Sequence, residues 1–189
     1  MKKERVKKQV DSAIQAVSDY ILVRKAKAGD KEAFGKLYKK YFDGLYRYVY
    51  FRLRNNHEVA EDIAEIALLK AWNKIDTYKK SAGEFRGWLF SIAHNAMVDY
   101  LRKKRKITKL EEYHKDENQS IEEKVIANDE KMIVMKSLSQ LSNAQKEVII
   151  LRFIEELSYT EIAQIMNKKE DAIRALQSRG IRKLRIILK

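Results

Sequence analysis

Apolar residues recur every three or four positions along most of the chain, which is the spacing of one face of an α-helix. The first such stretch covers residues 6–28 and ends at Gly29-Asp30, a helix stop followed by an N-cap residue for the next helix. The second stretch predicts one long helix with the apolar stripe Phe34, Leu37, Tyr38, Tyr41, Leu45, Tyr48, Val49 and Leu53. We therefore expect helices in the first quarter of the chain.

Two further helices are predicted between Asn56 and Lys106. The apolar stripe of the first consists of Val59, Ile63, Ile66, Leu69 and Trp72. Its polar side carries the acidic residues Glu58, Glu61, Asp62 and Glu65. After a loop through residues 79–83, the second helix begins near Phe85 and ends in a basic run at 102–106, so we expect an N-terminal domain of residues 1–106.

The composition changes between residues 107 and 130. Large apolar residues become rare, and the acidic residues are Glu111, Glu112, Asp116, Glu117, Glu122 and Glu123. Such a segment has too little apolar surface to build a core of its own. We interpret it as an exposed linker.

Two capping boxes mark helix starts in the C-terminal domain, residues 131–189. In Ser142-x-x-Gln145 and Ser158-x-x-Glu161 the serine accepts from the backbone N–H three residues on, and the longer side chain bonds back to the N-cap N–H. The helices are therefore expected to begin at residues 143 and 159. Asn167 suits a left-handed helix end, and a periodic basic stretch follows it, so the pattern predicts a helix-turn-helix.

The last helix is the candidate recognition helix. Its apolar residues Ile173, Leu176 and Leu184 hold it against its neighbours, and polar and cationic residues lie off that stripe. The candidates for base and phosphate contacts are Arg174, Gln177, Ser178, Arg179 and Arg182. The alternative is an ordinary basic helix on the surface of a bundle.

Composition supports a helical fold. The 189 residues include no proline and six glycines, so the breakers that normally separate strands are scarce. We predict an all-α protein of two small helical domains joined by the acidic linker. The formal net charge of +13 favours a polyanionic partner, nucleic acid first and an anionic membrane second.

Several functional classes are disfavoured by the sequence. The absence of cysteine excludes disulfides and thiolate metal sites. Polar residues interrupt positions 6–23, so no signal peptide or membrane span is expected, and we expect a cytoplasmic protein without membrane insertion. His57 and Glu61 lie one turn apart, but no second histidine is near, so we expect no metal, no cofactor and no catalytic residues.

A second nucleic-acid surface is suggested near Phe85. Phe85, Trp88 and Phe90 lie between the loop lysines Lys79 and Lys80 and the basic run at 102–106. Aromatic surfaces beside a cationic track are the means by which proteins bind single-stranded DNA. Taken alone, such aromatics are more often core residues, and a charge run is usually a solvated face.

In combination these segments resemble a known family. Residues 28–38, Ala60-Glu-Asp-Ile, Leu69-Lys-Ala-Trp and residues 85–102 resemble region two of the extracytoplasmic-function sigma factors, a group of the sigma-70 family. Residues 141–152 and 157–163 resemble region four of the same factors. The resemblance implies a non-catalytic factor that binds core RNA polymerase and directs promoter recognition and transcription initiation.

The resemblance also implies roles for particular residues. The positions that would dock on the clamp helices of the largest polymerase subunit are Glu61, Asp62, Glu65 and Leu69. The loop from Lys79 to Glu84 and the helix positions Asn95, Asp99, Arg102 and Lys103 would hold the melted minus-ten element, beside Trp88. Arg174, Ser178 and Arg179 would face the minus-thirty-five element.

The resemblance implies further partners. Region four would contact the flap of the second-largest polymerase subunit, and an anti-sigma factor is a partner class that no residue of the sequence indicates or excludes. Two alternatives remain at this point. One is a helix-turn-helix regulator that binds DNA alone, which would not need the acidic helix around Asp62. The other is an enzyme that uses the acidic cluster on nucleic acid and would show metal-dependent turnover.

Overall fold

The computed structural model describes residues 2–53, 56–80, 84–112 and 129–188, and no strand occurs within these ranges. The α-helices are α1 (Lys2–Lys27), α2 (Lys31–Arg52), α3 (His57–Asn73), α4 (Phe85–Glu112), α5 (Asp129–Ser139), α6 (Asn143–Ile149), α7 (Tyr159–Met166) and α8 (Glu170–Ile187). A 3-10 turn, Ile75–Thr77, follows α3, and a π-helical turn, Ile150–Ile154, continues α6. The all-α prediction is confirmed.

Helices α1 to α4 form the N-terminal bundle. Gly29 separates α1 from α2 with φ +88°, and Asp30 caps α2 by accepting from the Ala33 N–H at 3.0 Å. Most of the α2 stripe is buried as its periodicity predicts, with Leu37 and Leu45 fully inaccessible, whereas Phe34, Tyr38 and Leu53 are half-buried. Asp19 on α1 is also buried, and it accepts hydrogen bonds from the Tyr41 hydroxyl and the Lys40 ammonium, which fixes α1 on α2.

Helices α5 to α8 form the C-terminal domain. Both capping boxes are present at Ser142 and Ser158, so α6 and α7 begin at residues 143 and 159 as predicted. Asn167 ends α7 in the left-handed conformation, with φ 49° and ψ 53°. Lys169 gives α8 no side-chain cap, and α8 packs on α7 through buried Ile173. The helix-turn-helix prediction is confirmed.

The capping box at Ser158 should stabilise the domain measurably. Ser158→Ala leaves the Glu161 N–H without the serine oxygen, which now accepts it at 3.2 Å. We expect a loss of about 1 kcal/mol in the free energy of unfolding, checked by urea denaturation. Ser139→Ala is the control, because that exposed serine lies at the end of α5, where its hydroxyl donates to the Lys136 carbonyl and caps no helix start. Equal losses for the two variants would contradict the capping account.

The predicted end of α4 is wrong. The basic run at 102–106 is exposed, but the helix continues to Glu112, because neither glycine nor proline interrupts residues 107–112. The predicted linker therefore overlaps α4 at its start and α5 at its end, since α5 begins at Asp129. Residues 113–128, most of the proposed linker, lie outside the described residues.

The two bundles touch each other through α4 and α7. At Gly87 on α4 a Cβ would lie 3.0 Å from Glu161 Cγ and 3.3 Å from Glu161 Cβ, so the glycine allows the two helices to approach closely. Nearby, the Arg86 guanidinium donates to the Glu155 carbonyl. The sequence patterns did not predict that the two bundles share one continuous core.

Two glutamates of the C-terminal domain are buried at this boundary. Glu147, 2% exposed, accepts from the Tyr48 hydroxyl and the Arg52 guanidinium, and His94 Nδ1 lies 3.1 Å from its Oε1. Glu155, 1% exposed, accepts from Nε and Nη2 of Arg47, both at 3.1 Å. Each carboxylate thus takes its charge partners from the N-terminal bundle.

The two carboxyl groups differ in acidity. Burial alone would raise the pKa of Glu147, but the hydrogen bond from His94 and the charge of Arg52 outweigh it and hold the pKa below its usual 4.5. For Glu155 burial is the larger effect, and its pKa is raised despite the bond from Arg47, whose side chain is 48% exposed. The fold therefore favours the ionised form of Glu147 and disfavours that of Glu155.

Candidate nucleic-acid and protein interfaces

Helix α3 presents an acidic face to solvent. Glu61, Asp62 and Glu65 are exposed, and the apolar side chains Ile66 and Leu69 beside them are 43% and 62% exposed. The opposite side of α3 is core, and its buried residues are Ala60, Ile63, Ala64, Ala67, Leu68 and Ala71. An exposed apolar pair beside charged residues is typical of a protein-docking surface. The structure thus brings together the four residues predicted to bind polymerase.

His57 does not join the acidic residues of α3. Its Nδ1 lies 2.5 Å from the Tyr46 hydroxyl, and its ring packs at 4.6 Å from the Tyr50 ring, measured between centroids. His57 therefore belongs to an aromatic cluster between α2 and the start of α3. Among the described residues, no group of three or more histidine, aspartate or glutamate side chains is arranged to hold a metal ion.

Helix α4 carries one stripe of polar residues. Trp88, Asn95, Asp99, Arg102 and Lys103 follow each other at steps of seven, four and three or four positions, which places them along one side of the helix. Asn95, Arg102 and Lys103 are exposed, and Arg102 pairs with Asp99 at 2.9 Å. This stripe, which we name the α4 stripe, combines an indole, an amide and cations on one accessible surface.

Trp88 is the accessible member of the aromatic group. Phe85 and Phe90 are buried, so these two candidate stacking residues are core residues instead. Half-buried Trp88 contacts the Tyr78 ring, with centroids 5.4 Å apart. Tyr78 was not predicted as a site residue, although it stands directly before the lysines at 79 and 80.

Helix α1 supports the loop that precedes α4. The Lys27 ammonium donates to the Tyr78 carbonyl at 2.5 Å and to the Asp76 carbonyl at 3.2 Å. The Lys80 ammonium lies 4.7 Å from the centroid of the Tyr20 ring. Lys79 and Lys80 are exposed, and the loop residues 81–83 lie outside the described residues. The N-terminal helix therefore holds the start of this loop.

Helix α8 exposes a cationic face. Arg174, Ser178, Arg179 and Arg182 are all exposed, as the sequence predicts. Arg185 extends the same side of the helix, three residues beyond Arg182, and was not predicted, although its position seven residues after Ser178 indicates that side. The concentration of arginines on one helix face suits a phosphate backbone with base edges below it.

Gln177 differs from the other candidates because it is half-buried. The Tyr159 hydroxyl donates to its Oε1 at 2.6 Å. The same tyrosine ring contacts Arg174, whose guanidinium carbon is 3.9 Å from the ring centroid, and Arg152, at 4.7 Å. Neither Tyr159 nor Arg152 was predicted as a site residue. Their contacts join different helical elements, and the periodicity of one helix does not indicate which residues of another helix it meets.

None of the helices that the structure describes is both long enough and apolar enough to cross a membrane.

Family models match both halves of the chain: Sigma-70 region 2 matches residues 37–107, and Sigma-70 region 4 matches residues 137–185. The two models bracket the acidic segment that separates the predicted domains.

Curated relatives agree with these family models. The ECF RNA polymerase sigma factor BldN of Streptomyces coelicolor is 34% identical over 88% of this chain, and the chain spans 64% of the length of BldN. The ECF RNA polymerase sigma factor SigW of Bacillus subtilis is 32% identical over 86% of this chain and 92% of its own length.

Solved structures agree as well. The sigma factor RpoE of Bartonella quintana, in complex with the anti-sigma factor NepR, is 26% identical with a TM-score of 0.68, covering 82% of this chain and 96% of that chain. CnrH, in complex with the cytosolic domain of CnrY, is 23% identical with a TM-score of 0.69 over 90% and 97% of the two chains, and shows the same fold.

Proposed function

Since this chain belongs to the ECF group of RNA polymerase sigma factors within the sigma-70 family, and so directs transcription initiation, we propose that its two domains divide the work on polymerase and promoter. Residues 1–106 bind core polymerase and hold the minus-ten element. Residues 131–189 recognise the minus-thirty-five element, and residues 107–130, which include the end of α4 and the start of α5, connect the two. The protein acts in the cytoplasm and has no catalytic activity of its own. The observation that carries the proposal is the separation of an acidic docking face from two cationic surfaces.

The docking face on α3 is proposed to bind the clamp helices of the largest polymerase subunit. Its acids Glu61, Asp62 and Glu65 steer the encounter with a basic partner, and Leu69 supplies apolar contact. This arrangement needs no change in the bundle, because the opposite side of α3 is already packed. Region four is proposed to contact the flap of the second-largest subunit.

The α4 stripe is proposed to hold the melted minus-ten element. Arg102 and Lys103 attract the phosphates, and Trp88 and Asn95 are placed further along the stripe, where unstacked bases can be bound. Lys79 and Lys80 lie in the loop that α1 supports. A single strand following this stripe would meet both charge and a stacking surface.

The exposed face of α8 is proposed to enter the major groove at the minus-thirty-five element. An arginine can donate two hydrogen bonds to a guanine edge, a pairing that discriminates bases. Arg174, Arg179 and Arg182 serve either such contacts or the phosphates on each side of the groove.

An anti-sigma factor is proposed as a further partner class. RpoE, which shares the fold at 26% identity, is solved in complex with the anti-sigma factor NepR. A protein that covers the docking face on α3 or the cationic face of α8 would block initiation.

The proposed recognition of the minus-thirty-five element by α8 is tested by Arg174→Ala combined with Arg179→Ala. On a promoter with its native minus-thirty-five element we expect initiation to fall about ten-fold or more, because base and phosphate contacts are lost together. On the same promoter with that element replaced, the loss should be clearly smaller, because only the phosphate contacts, which do not depend on sequence, are then lost. Run-off transcription with core polymerase measures both.

Lys136→Ala is the control for that experiment. Lys136 is an exposed cation of the same domain, but it lies on α5, outside the proposed recognition helix. It should retain nearly full initiation on both promoters. An equal loss on both promoters for the double variant would contradict recognition by α8.

A further inference from the structure

Tyr159 contacts two of the side chains that α8 presents to DNA. Its ring lies 3.9 Å from the guanidinium carbon of Arg174, and its hydroxyl donates to Gln177 Oε1 at 2.6 Å. Tyr159 belongs to α7, the helix that precedes the recognition helix. One residue outside α8 therefore restrains both an arginine and a glutamine on it.

The surroundings of Tyr159 keep its ring in place. Ser158, directly before it, caps α7 and so defines where the helix begins. Arg152 packs on the same ring at 4.7 Å, and its own Nη1 donates to the Leu157 carbonyl at 2.7 Å. The ring is thus held by its own helix and by a second, anchored arginine.

A second set of contacts also restrains Arg174. Its Nη2 donates to Glu170 Oε2 at 3.3 Å, and the other oxygen of Glu170 accepts from the Thr160 hydroxyl at 2.6 Å. Thr160 follows Tyr159 in the first turn of α7. Two adjacent residues of α7 therefore restrain Arg174, one directly and one through Glu170.

We propose that Tyr159 is a positioning residue that sets the minus-thirty-five sequence preference by orienting Arg174 and Gln177. The inference deepens the proposed role of α8 and rests on it. A free arginine or glutamine side chain loses rotamer freedom when it binds a base, which costs binding free energy. Contacts already made in the unbound protein reduce that cost. A guanidinium stacked on a ring also keeps its N–H edges available for a guanine.

The hydroxyl contact predicts which bases Gln177 favours. To bind adenine with two hydrogen bonds, a glutamine uses its oxygen as acceptor and its NH2 group as donor. In this structure the oxygen of Gln177 is directed at Tyr159. The NH2 group is left to donate, which suits the acceptors of guanine and thymine. Tyr159 therefore disfavours adenine opposite Gln177.

The test compares Tyr159→Phe with Tyr159→Leu in the full chain bound to core polymerase. Promoters with a randomised minus-thirty-five element are selected for initiation and sequenced. Tyr159→Phe keeps the ring, so we expect discrimination to change at one base pair only, with adenine gaining about five-fold or more there. Tyr159→Leu removes the ring as well, so the position facing Arg174 should also relax.

A Gln177→Ala background separates this role from a general structural one. If the hydroxyl acts through Gln177, Tyr159→Phe should change nothing further in that background. An unchanged preference in Tyr159→Phe, while the wild type discriminates, would overturn the inference. Equal loss of initiation on every sequence would overturn it too, since that indicates a damaged fold. If the wild type itself shows no minus-thirty-five preference, the proposed role of α8 fails instead.

Discussion

Asp62→Arg is expected to weaken binding of this chain to core polymerase about a hundred-fold. The substitution places a cation in the centre of the docking face, between the acids Glu61 and Glu65. A like charge set against a basic partner costs several kcal/mol at an interface. The fold should be unaffected, because Asp62 is exposed and surface substitutions usually change stability by less than about 0.5 kcal/mol.

Titration of core polymerase into labelled chain measures this effect directly. Asp76→Arg is the matched control, since Asp76 is an exposed aspartate in the same domain but lies in the 3-10 turn after α3. The control should bind within about two-fold of the wild type, as expected for a charge away from the docking face. Equal weakening of both variants would mean that only the overall charge of the domain matters.

Glu147→Gln is expected to destabilise the protein by about 3 kcal/mol, because it leaves Arg52 and His94 at a buried boundary without their carboxylate. Glu155→Gln is the control at the same boundary, and it should cost far less. Burial raises the pKa of Glu155, so its charge is disfavoured in the folded state, and Arg47 can turn to solvent. Urea unfolding of both variants measures the difference. Comparable losses would contradict the distinction between the two carboxylates.

The lowered pKa of Glu147 also predicts that the stability of the protein depends on pH. The folded pKa of Glu147 lies below its usual 4.5, so its stabilisation is complete above about pH 4.5 and is lost as the pH falls through the folded pKa. The wild type should therefore lose more stability than Glu147→Gln between pH 6 and pH 3, roughly the range that titrates a carboxyl group. Parallel curves for the two proteins would show that the carboxylate of Glu147 makes no such contribution.

Much of the helical fold followed from the sequence because its signals are local. The caps at Asp30, Ser142 and Ser158 and the left-handed residue Asn167 each act within a few residues, so short sequence motifs were enough to place the helix starts. The continuation of α4 past Lys106 was missed because the change to acidic residues was taken for the end of the helix. A change in composition does not by itself end a helix, and neither glycine nor proline interrupts residues 107–112.

The contact between the domains could not be predicted in this way. Glu147 meets Tyr48, Arg52 and His94, which precede it by 99, 95 and 53 positions, and no periodic pattern links residues so far apart. The π-helical turn that precedes Glu156 was also missed. Glu156 itself has a left-handed backbone, with φ 51°, at a position where the sequence has no glycine to indicate that conformation. The exposed acidic face of α3 and the cationic face of α8 did follow from periodicity, but the predicted apolar stripe of α3 was wrong, because Ile66 and Leu69 are exposed and Ala64, Ala67 and Leu68 are buried instead. The roles assigned to both faces came from the family resemblance.

The most direct test of the central claim is run-off transcription with purified core polymerase on a pool of promoter fragments. We predict transcripts with discrete start sites that appear only when this chain is added and disappear with Asp62→Arg. The contradicting result is a chain that shifts promoter DNA without polymerase while transcription by core shows no dependence on it. The protein would then act as a DNA-binding regulator on its own.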